Sequence, residues 1–280
     1  MFAAMSPLWT TETLPGGVLR ATYDNPPMNY FCAEGAGELA GLVEAWRDPA
    51  VRAIVLCGGG DRGAFLTHYS VEELLAAAED REQMRIAGTS LTRGYHALLL
   101  SMRDLPKPVV VAMNGNTMGG GLELSLACDI RIGQDGDFRY GFPEVRLGII
   151  PGGSGTQRLS RLIGAGRAVE FIMRSRVVTP QVALELGIVH EVVSDATTRA
   201  TAIATELAAL PPRAIAAVKT SVYGGSDTHL AAGLEIESGA FLDTMLSDDG
   251  VRAMREYVAL PYEERRVWLE RRAQDSYTGT

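Results

Sequence analysis

The chain has 280 residues, 46% of them apolar, enough for a sizeable core in one or two domains. Its net charge of −8 and pI near 5.1 oppose a general role on nucleic acid or an anionic membrane. The three cysteines, Cys32, Cys57 and Cys128, are too scattered for a Cys-x-x-Cys metal or redox motif, and their odd number does not suggest a secreted disulfide framework. The opening MFAAMSPLWTTE has no basic region ahead of a long apolar run, and no segment reaches roughly 18 uninterrupted apolar residues, so the expectation is a cytoplasmic protein with no membrane partner.

In chain order, Gly17 to Tyr23 reads as a strand with a hairpin at its start, and Asp24-Asn25-Pro26-Pro27-Met28-Asn29 is turn chemistry. Leu39, Leu42, Val43 and Trp46 follow helical spacing, and Ala53 to Cys57 is a short strand. Gly58 to Gly63 satisfies G-x-G-x-x-G after a strand, the outline of a dinucleotide fingerprint. No helix opens at its last glycine, because Ala64 to Ser70 intervenes, and the acidic Glu79-Asp80 does not follow an apolar strand; the match is set aside. Val71 to about Asp104 is largely helical, with Leu91, Tyr95, Leu98 and Met102 on one face and His96 beside it, a packing stripe.

The stretch from Val109 to Leu159 organises the rest. Val109-Val110-Val111 stops at Asn114-Gly115, a buried strand closed by a turn. Gly119, Gly120 and Gly121 let the main chain approach a ligand, and Leu122 to Cys128 then has helical periodicity. The glycines therefore sit at a helix N-terminus, where free N–H groups and the helix dipole stabilise an anion or a developing oxyanion. Glu123 lies one turn into this helix, and Glu144 follows in Gly141-Phe142-Pro143-Glu144 after the strand-like Asp129 to Gly133. Taken singly, each glutamate reads as a dipole-complementing or loop-starting residue; together, flanking such a turn, they form a general acid/base pair beside an electrophilic carbonyl.

Downstream, Leu159 to Arg174 and Pro180 to Leu186 read as helices and Ile188 to Val193 as a terminal strand. From Thr197 the pattern is nearly all helix: Thr197 to Leu210, Pro211 to Tyr223, His229 to Leu246 and Gly250 to Leu260, then an alternating Glu/Arg stretch from Tyr262 to Arg272. The expected organisation is 1–196 as core and 197–280 as a helical region. Periodicity alone gives an α/β class.

Asn114-Gly115, Gly119-Gly120-Gly121-x-Glu123, Cys128-Asp129-Ile130, Pro143-Glu144-Val145-x-Leu147-Gly148 and Ile150-Pro151-Gly152-Gly153-x-Gly155-Thr156-Gln157-Arg158-Leu159 resemble, in order and spacing, the signature of the enoyl-CoA hydratase/isomerase (crotonase) superfamily. The resemblance implies a spiral of β-β-α units followed by a C-terminal helical oligomerisation region, assembled as a homotrimer or dimer of trimers. It implies an acyl-CoA thioester substrate, with coenzyme A as part of that substrate and no metal or other cofactor. The implied reaction is addition of water to a trans-2-enoyl-CoA, with Glu144 delivering the proton to C2 and Glu123 orienting and activating water. Family isomerases often keep only the later carboxylate, so the pair favours hydration. Other family chemistry (isomerase, thioester or C–C hydrolase) and a non-catalytic binding protein are the alternatives.

Where the family usually reads Ala-Phe-Cys-Ala-Gly-Ala-Asp-Leu, this chain has Ala64-Phe65-Leu66-Thr67-His68-Tyr69-Ser70-Val71. By alignment Tyr69 and Gly120 supply the two N–H groups of the oxyanion hole, and a backbone N–H survives any non-proline substitution. Tyr69 adds bulk where the acyl group enters, and His68, with no paired carboxylate in sequence, reads as a polar wall residue. The remaining residues expected around the substrate are Asn25, Thr67, His68, Gly119, Gly121, Pro143 and Gly152. The Phe-x-x-Lys-Arg-like ending by which family members often bind CoA is absent.

Overall fold

The computed structural model describes residues 7–59 and 63–273; positions 60–62 of the glycine-rich match and the first six residues of the opening segment lie outside them. A hairpin of β1 (Trp9–Leu14) and β2 (Val18–Tyr23) opens the chain. Helix α1 (Ala33–Ala45) leads to β3 (Ala53–Gly58), and α2 (Val71–Glu79), α3 (Arg81–Ala87) and α4 (Arg93–Arg103) lead to β4 (Val109–Met113). The helical stretch from 71 to 104 is divided at two places. Asp80 caps α3 through its carboxylate, and Gly88 turns at φ 51°.

The two-residue β5 (Thr117–Met118), then α5 (Gly120–Ala127), β6 (Ile130–Gln134) and β7 (Tyr140–Gly141) make up the central stretch. After it come α6 (Gly155–Ile163), α7 (Ala165–Met173), β8 (Val177–Val178), α8 (Pro180–Glu185) and β9 (Glu191–Val193). The main sheet has the order β1-β2-β3-β4-β6-β9, parallel from β2 onward, and β5-β7-β8 form a small second sheet.

Both faces of the main sheet are covered, which is why its central strands are apolar without alternation. Ile54, Leu56, Val109, Val111 and Met113 face the larger core, where α1, α4, α5 and α6 also pack. Ala53, Val55, Cys57, Val110 and Ala112 face α9 (Ala196–Ala208), whose Ala196, Ala200 and Ala204 bring it close to the strands. Each fully buried Val, Leu or Ile contributes about 1.5–3 kcal/mol. The expected boundary at 196/197 thus meets a helix lying on the sheet, whereas α10 (Pro212–Ser226), α11 (Leu230–Met245), α12 (Asp248–Ala259) and α13 (Tyr262–Ala273) pack largely on one another. Lys219 ties α10 to the core: its ammonium donates to the Asp129 carboxylate at 2.8 Å and the Lys107 carbonyl at 2.9 Å, and Tyr223 donates to the same carboxylate.

The loops leaving the C-terminal ends of β2, β3 and β4 converge, the usual place for a ligand in a parallel sheet. Asn114 joins β3 to β4 by accepting from the Gly58 N–H and donating to the Gly58 carbonyl. Residues 64 to 69 then run beside both neighbours, through bridges of Ala64 with Asn116 and of Phe31 with Tyr69.

Candidate active site

The Phe31–Tyr69 bridge fixes one amide. Phe31 N–H donates to the His68 carbonyl at 2.8 Å, and Ser70 N–H donates to the Phe31 carbonyl at 2.7 Å. In a trans peptide C=O and N–H point opposite ways, so the Tyr69 N–H is directed away from Phe31. On the other side lies the start of α5. Gly119 adopts φ 49°, its N–H donating to the Gly141 carbonyl, and Gly120 follows as the first helical residue, with no intrahelical acceptor for its N–H. A Cβ placed on Gly120 would lie 3.4 Å from the Tyr69 nitrogen. Among the described residues neither the Tyr69 nor the Gly120 N–H donates to another backbone or side-chain group. Gly121 is where the two segments touch: a Cβ there would meet the Leu66 carbonyl oxygen at 2.0 Å. Its role is close packing.

Glu123 is turned inward from α5 and is 4% exposed. Its Oε1 accepts from the Gly153 and Gly155 N–H groups, both at 2.7 Å, where α6 begins. Burial pushes the carboxyl up to about 7 against these two bonds and the nearby Arg158 guanidinium. Glu144 opens a 3-10 turn after Pro143 and is 8% exposed. A Cβ on Gly119 would lie 2.9 Å from its Oε1, and its Oε2 is buried with no hydrogen-bond partner among the described residues. Burial pushes it up to about 8; its own backbone N–H opposes the rise, and the neighbouring Glu123 charge adds to it. The turn that presents an open amide therefore stands between two carboxyls that resist ionisation.

The other expected site residues divide. His68 borders Glu144: its Cβ is 3.5 Å from the Cβ position of Gly119, its ring stacks on Tyr30 at 4.4 Å, and its Nδ1 bonds the Tyr69 carbonyl at 2.7 Å. A carbonyl only accepts, so Nδ1 carries the proton. Thr67 is buried; its hydroxyl donates to the Met28 carbonyl and its N–H to the Asn29 carbonyl, holding the 64–69 segment to the preceding loop. Asn25 is spent inside that loop, its amide donating to the Tyr30 carbonyl at 2.8 Å. Gly152 is exposed and not among the donors to Glu123; those are Gly153 and Gly155. The Tyr69 ring packs edge-on to Phe31 at 6.2 Å, and burial, followed by the nearby Glu73, raises its phenol.

Several residues near the glutamates carry no role in the sequence reading. Tyr95 donates to the Gly120 carbonyl at 2.8 Å, His96 bonds the Gly152 carbonyl at 2.7 Å, and Arg158 stands close enough to lower Glu123. The Gly153 and Gly155 donors had a signal, glycines just ahead of a helix whose first N–H groups are free. Tyr95 and His96 had none beyond a packing stripe. Among the described residues no three His, Cys, Asp or Glu converge as a metal-ligand set, and no helix is long and apolar enough to cross a membrane.

The profile of the enoyl-CoA hydratase/isomerase family matches residues 13–268. YngF of Bacillus subtilis is 40% identical over 211 residues, 74% of this chain and 78% of that protein. The short-chain-enoyl-CoA hydratase of Clostridium acetobutylicum is 33% identical over 217 residues, 77% of this chain and 80% of that protein. Among solved structures, an enoyl-CoA hydratase from Bacillus anthracis superposes with a TM-score of 0.80 at 31% identity, covering 89% of this chain and 96% of that one.

Proposed function

The chain belongs to the enoyl-CoA hydratase/isomerase family and has its crotonase fold, and from that premise we propose that it is an enoyl-CoA hydratase, adding water to a trans-2-enoyl-CoA to give the 3-hydroxyacyl-CoA. The observation that carries this reading is the pair of buried carboxyls, one ligated by two N–H groups and one with an oxygen that has no partner among the described residues, on either side of a turn whose amides are likewise unpaired among them. In this reading the thioester oxygen accepts from the Tyr69 and Gly120 N–H groups, which stabilise the enolate charge; losing one such donor typically costs about 100- to 1000-fold.

Water bound against Glu123 loses a proton to it as its oxygen bonds to C3, and Glu144 delivers a proton to C2 of the enolate. Proton return between the carboxyls resets the pair, so one water is consumed and no other reactant is needed. Burial raises both carboxyls, so near neutral pH the pair can keep the proton that Glu144 must give, while Glu123, held by two N–H donors and near Arg158, serves as the base.

We extend the proposal to assembly as a homotrimer or dimer of trimers through the C-terminal helices, where Val218, Leu230, Phe241 and Leu246 are more than half exposed. Sedimentation of the purified chain checks it, and a monomer at micromolar concentration contradicts it.

The activity is tested with short, long, branched and aromatic trans-2-enoyl-CoA thioesters in oxygen-18 water, with mass analysis of products. Label in a 3-hydroxyl, lost in Glu123→Gln and Glu144→Gln, is the expected result. No incorporation with any thioester, despite measurable binding, overturns hydration and moves the weight to isomerase or hydrolase chemistry; absence of both turnover and binding points to a non-catalytic protein.

A further inference from the structure

Two adjacent residues of α4 reach the two backbone segments that build the site. Successive residues on a helix diverge by about 100°, so neighbours can serve separate loops. Tyr95 donates its hydroxyl to the Gly120 carbonyl at 2.8 Å, and the His96 Nε2 bonds the Gly152 carbonyl at 2.7 Å. Because that carbonyl can only accept, Nε2 carries the hydrogen in this bond.

The second contact has a specific consequence. The Gly152 C=O and the Gly153 N–H belong to one peptide group, and that N–H donates to Glu123 Oε1 at 2.7 Å. The chain is thus His96 Nε2–H to O=C, across the amide, and N–H to the carboxylate. Donation into an amide oxygen increases C–N double-bond character and sharpens the N–H as a donor, a cooperative gain of about 10–30% per bond. The first contact acts by geometry: Gly120 lies at the first position of α5, and fixing its carbonyl limits rotation at the residue whose N–H stands open.

We infer that Tyr95 and His96 are positioning residues for the reaction. Tyr95 holds the turn that presents the Gly120 amide, and His96, through the 152–153 peptide, sets how firmly Glu123 is kept as a carboxylate. The groups that face Glu123 are the Gly153 and Gly155 N–H groups and Arg158 from the α6 side, Tyr95 from α4, and Glu144 across the site. Removing the His96 ring takes away no group that faces Glu123 and reaches the Gly153 N–H only through the shared peptide, so a change in Glu123 titration would report the relay. The kinetic readouts rest on the hydratase reading; the titration readout does not.

The experiment compares His96→Ala, His96→Gln and Tyr95→Phe with the wild-type chain, each checked for an unchanged melting temperature. Carboxyl carbon-13 NMR follows Glu123, and the pH profile of kcat/KM follows the enzyme. His96→Ala is expected to raise the Glu123 titration and the acid limb by about half a pH unit, which lowers kcat/KM at pH 6 about threefold. His96→Gln, whose amide can still donate, is expected to restore both. Tyr95→Phe is expected to lower kcat about tenfold with KM changed less than about twofold. A His96→Ala titration identical to wild type overturns the relay, and a wild-type kcat in Tyr95→Phe overturns the brace. If the wild-type chain hydrates no thioester, the function falls, and the carbon-13 titration alone decides the role of His96. Should His96→Ala fail to fold, a His96→Gln chain that titrates or turns over with a raised acid limb contradicts rescue by a donor.

Discussion

Glu123 and Glu144 are chemically identical and almost equally buried, yet their surroundings differ. Glu123 lies where α6 begins and takes two backbone N–H groups on one oxygen, with an arginine nearby. Glu144 follows a proline in a tight turn, and one of its oxygens has no partner among the described residues. Both carboxyls rise on burial, to about 7 and about 8; two N–H donors and Arg158 oppose the rise at Glu123, whereas at Glu144 only its own backbone N–H opposes it and the Glu123 charge adds to it. In the proposed reaction, backbone donors thus set the base Glu123 apart from the acid Glu144 without any difference in side chain.

Removing either carboxyl breaks the comparison most severely. Glu123→Gln and Glu144→Gln are each expected to lower kcat about 100- to 10,000-fold, and the double variant to lose little beyond the worse single one, as measured by steady-state hydration. Crowding the base without touching the acid comes next. A Cβ at Gly153 would lie 2.4 Å from Glu123 Oε2 and 2.3 Å from the Tyr95 ring, so Gly153→Ala is expected to cost about 10- to 100-fold in kcat while the Glu144 titration stays in place.

The pH profile sharpens the comparison. With Glu123 needed ionised and Glu144 protonated, kcat/KM is expected to rise through about 7 and fall through about 8, and residual activity of Glu144→Gln to lack the alkaline limb. Stability gives the complementary sign. A carboxyl raised on folding binds more protons in the native state between its unfolded and folded pKa, so stability falls as pH rises from about 4.5 to about 8. Glu144→Gln should therefore be more stable than wild type at pH 8, by on the order of 4 kcal/mol at most, and equal to it near pH 4, as read by denaturant titration. The smallest effect is expected from Arg158→Leu, which removes a charge that lowers Glu123 and should move the acid limb up by about half a unit.

Much of this was legible in the sequence because it is local. The Val109 to Val111 run, the glycine turn and the helix after it lie within twenty residues, and their chemistry follows from period and backbone freedom. Glu123 and Glu144 could be paired because the glycine turn between them, at a helix N-terminus, reads in sequence as a place for an oxyanion. Thr67 and Asn25 show where local reasoning ends: both fell on segments expected to face substrate, yet the Thr67 hydroxyl ties its segment to the preceding loop and the Asn25 amide is used within that loop. Gly152 was expected beside the substrate, but the donors to Glu123 are one and three positions further on, a register set by how α6 starts. Tyr95 sat on an ordinary amphipathic stripe and His96 beside it; only the fold brings the Gly120 and Gly152 carbonyls to them, across 25 and 56 residues of chain.

The account stands most directly on the titration of the two glutamates in the free protein, followed by carboxyl carbon-13 NMR with each signal assigned from its Gln variant. The expected result is two transitions well above the ordinary glutamate range, with Glu123 ionising before Glu144. Both carboxyls titrating near 4.5, or Glu144 ionising first, would contradict the division between base and acid.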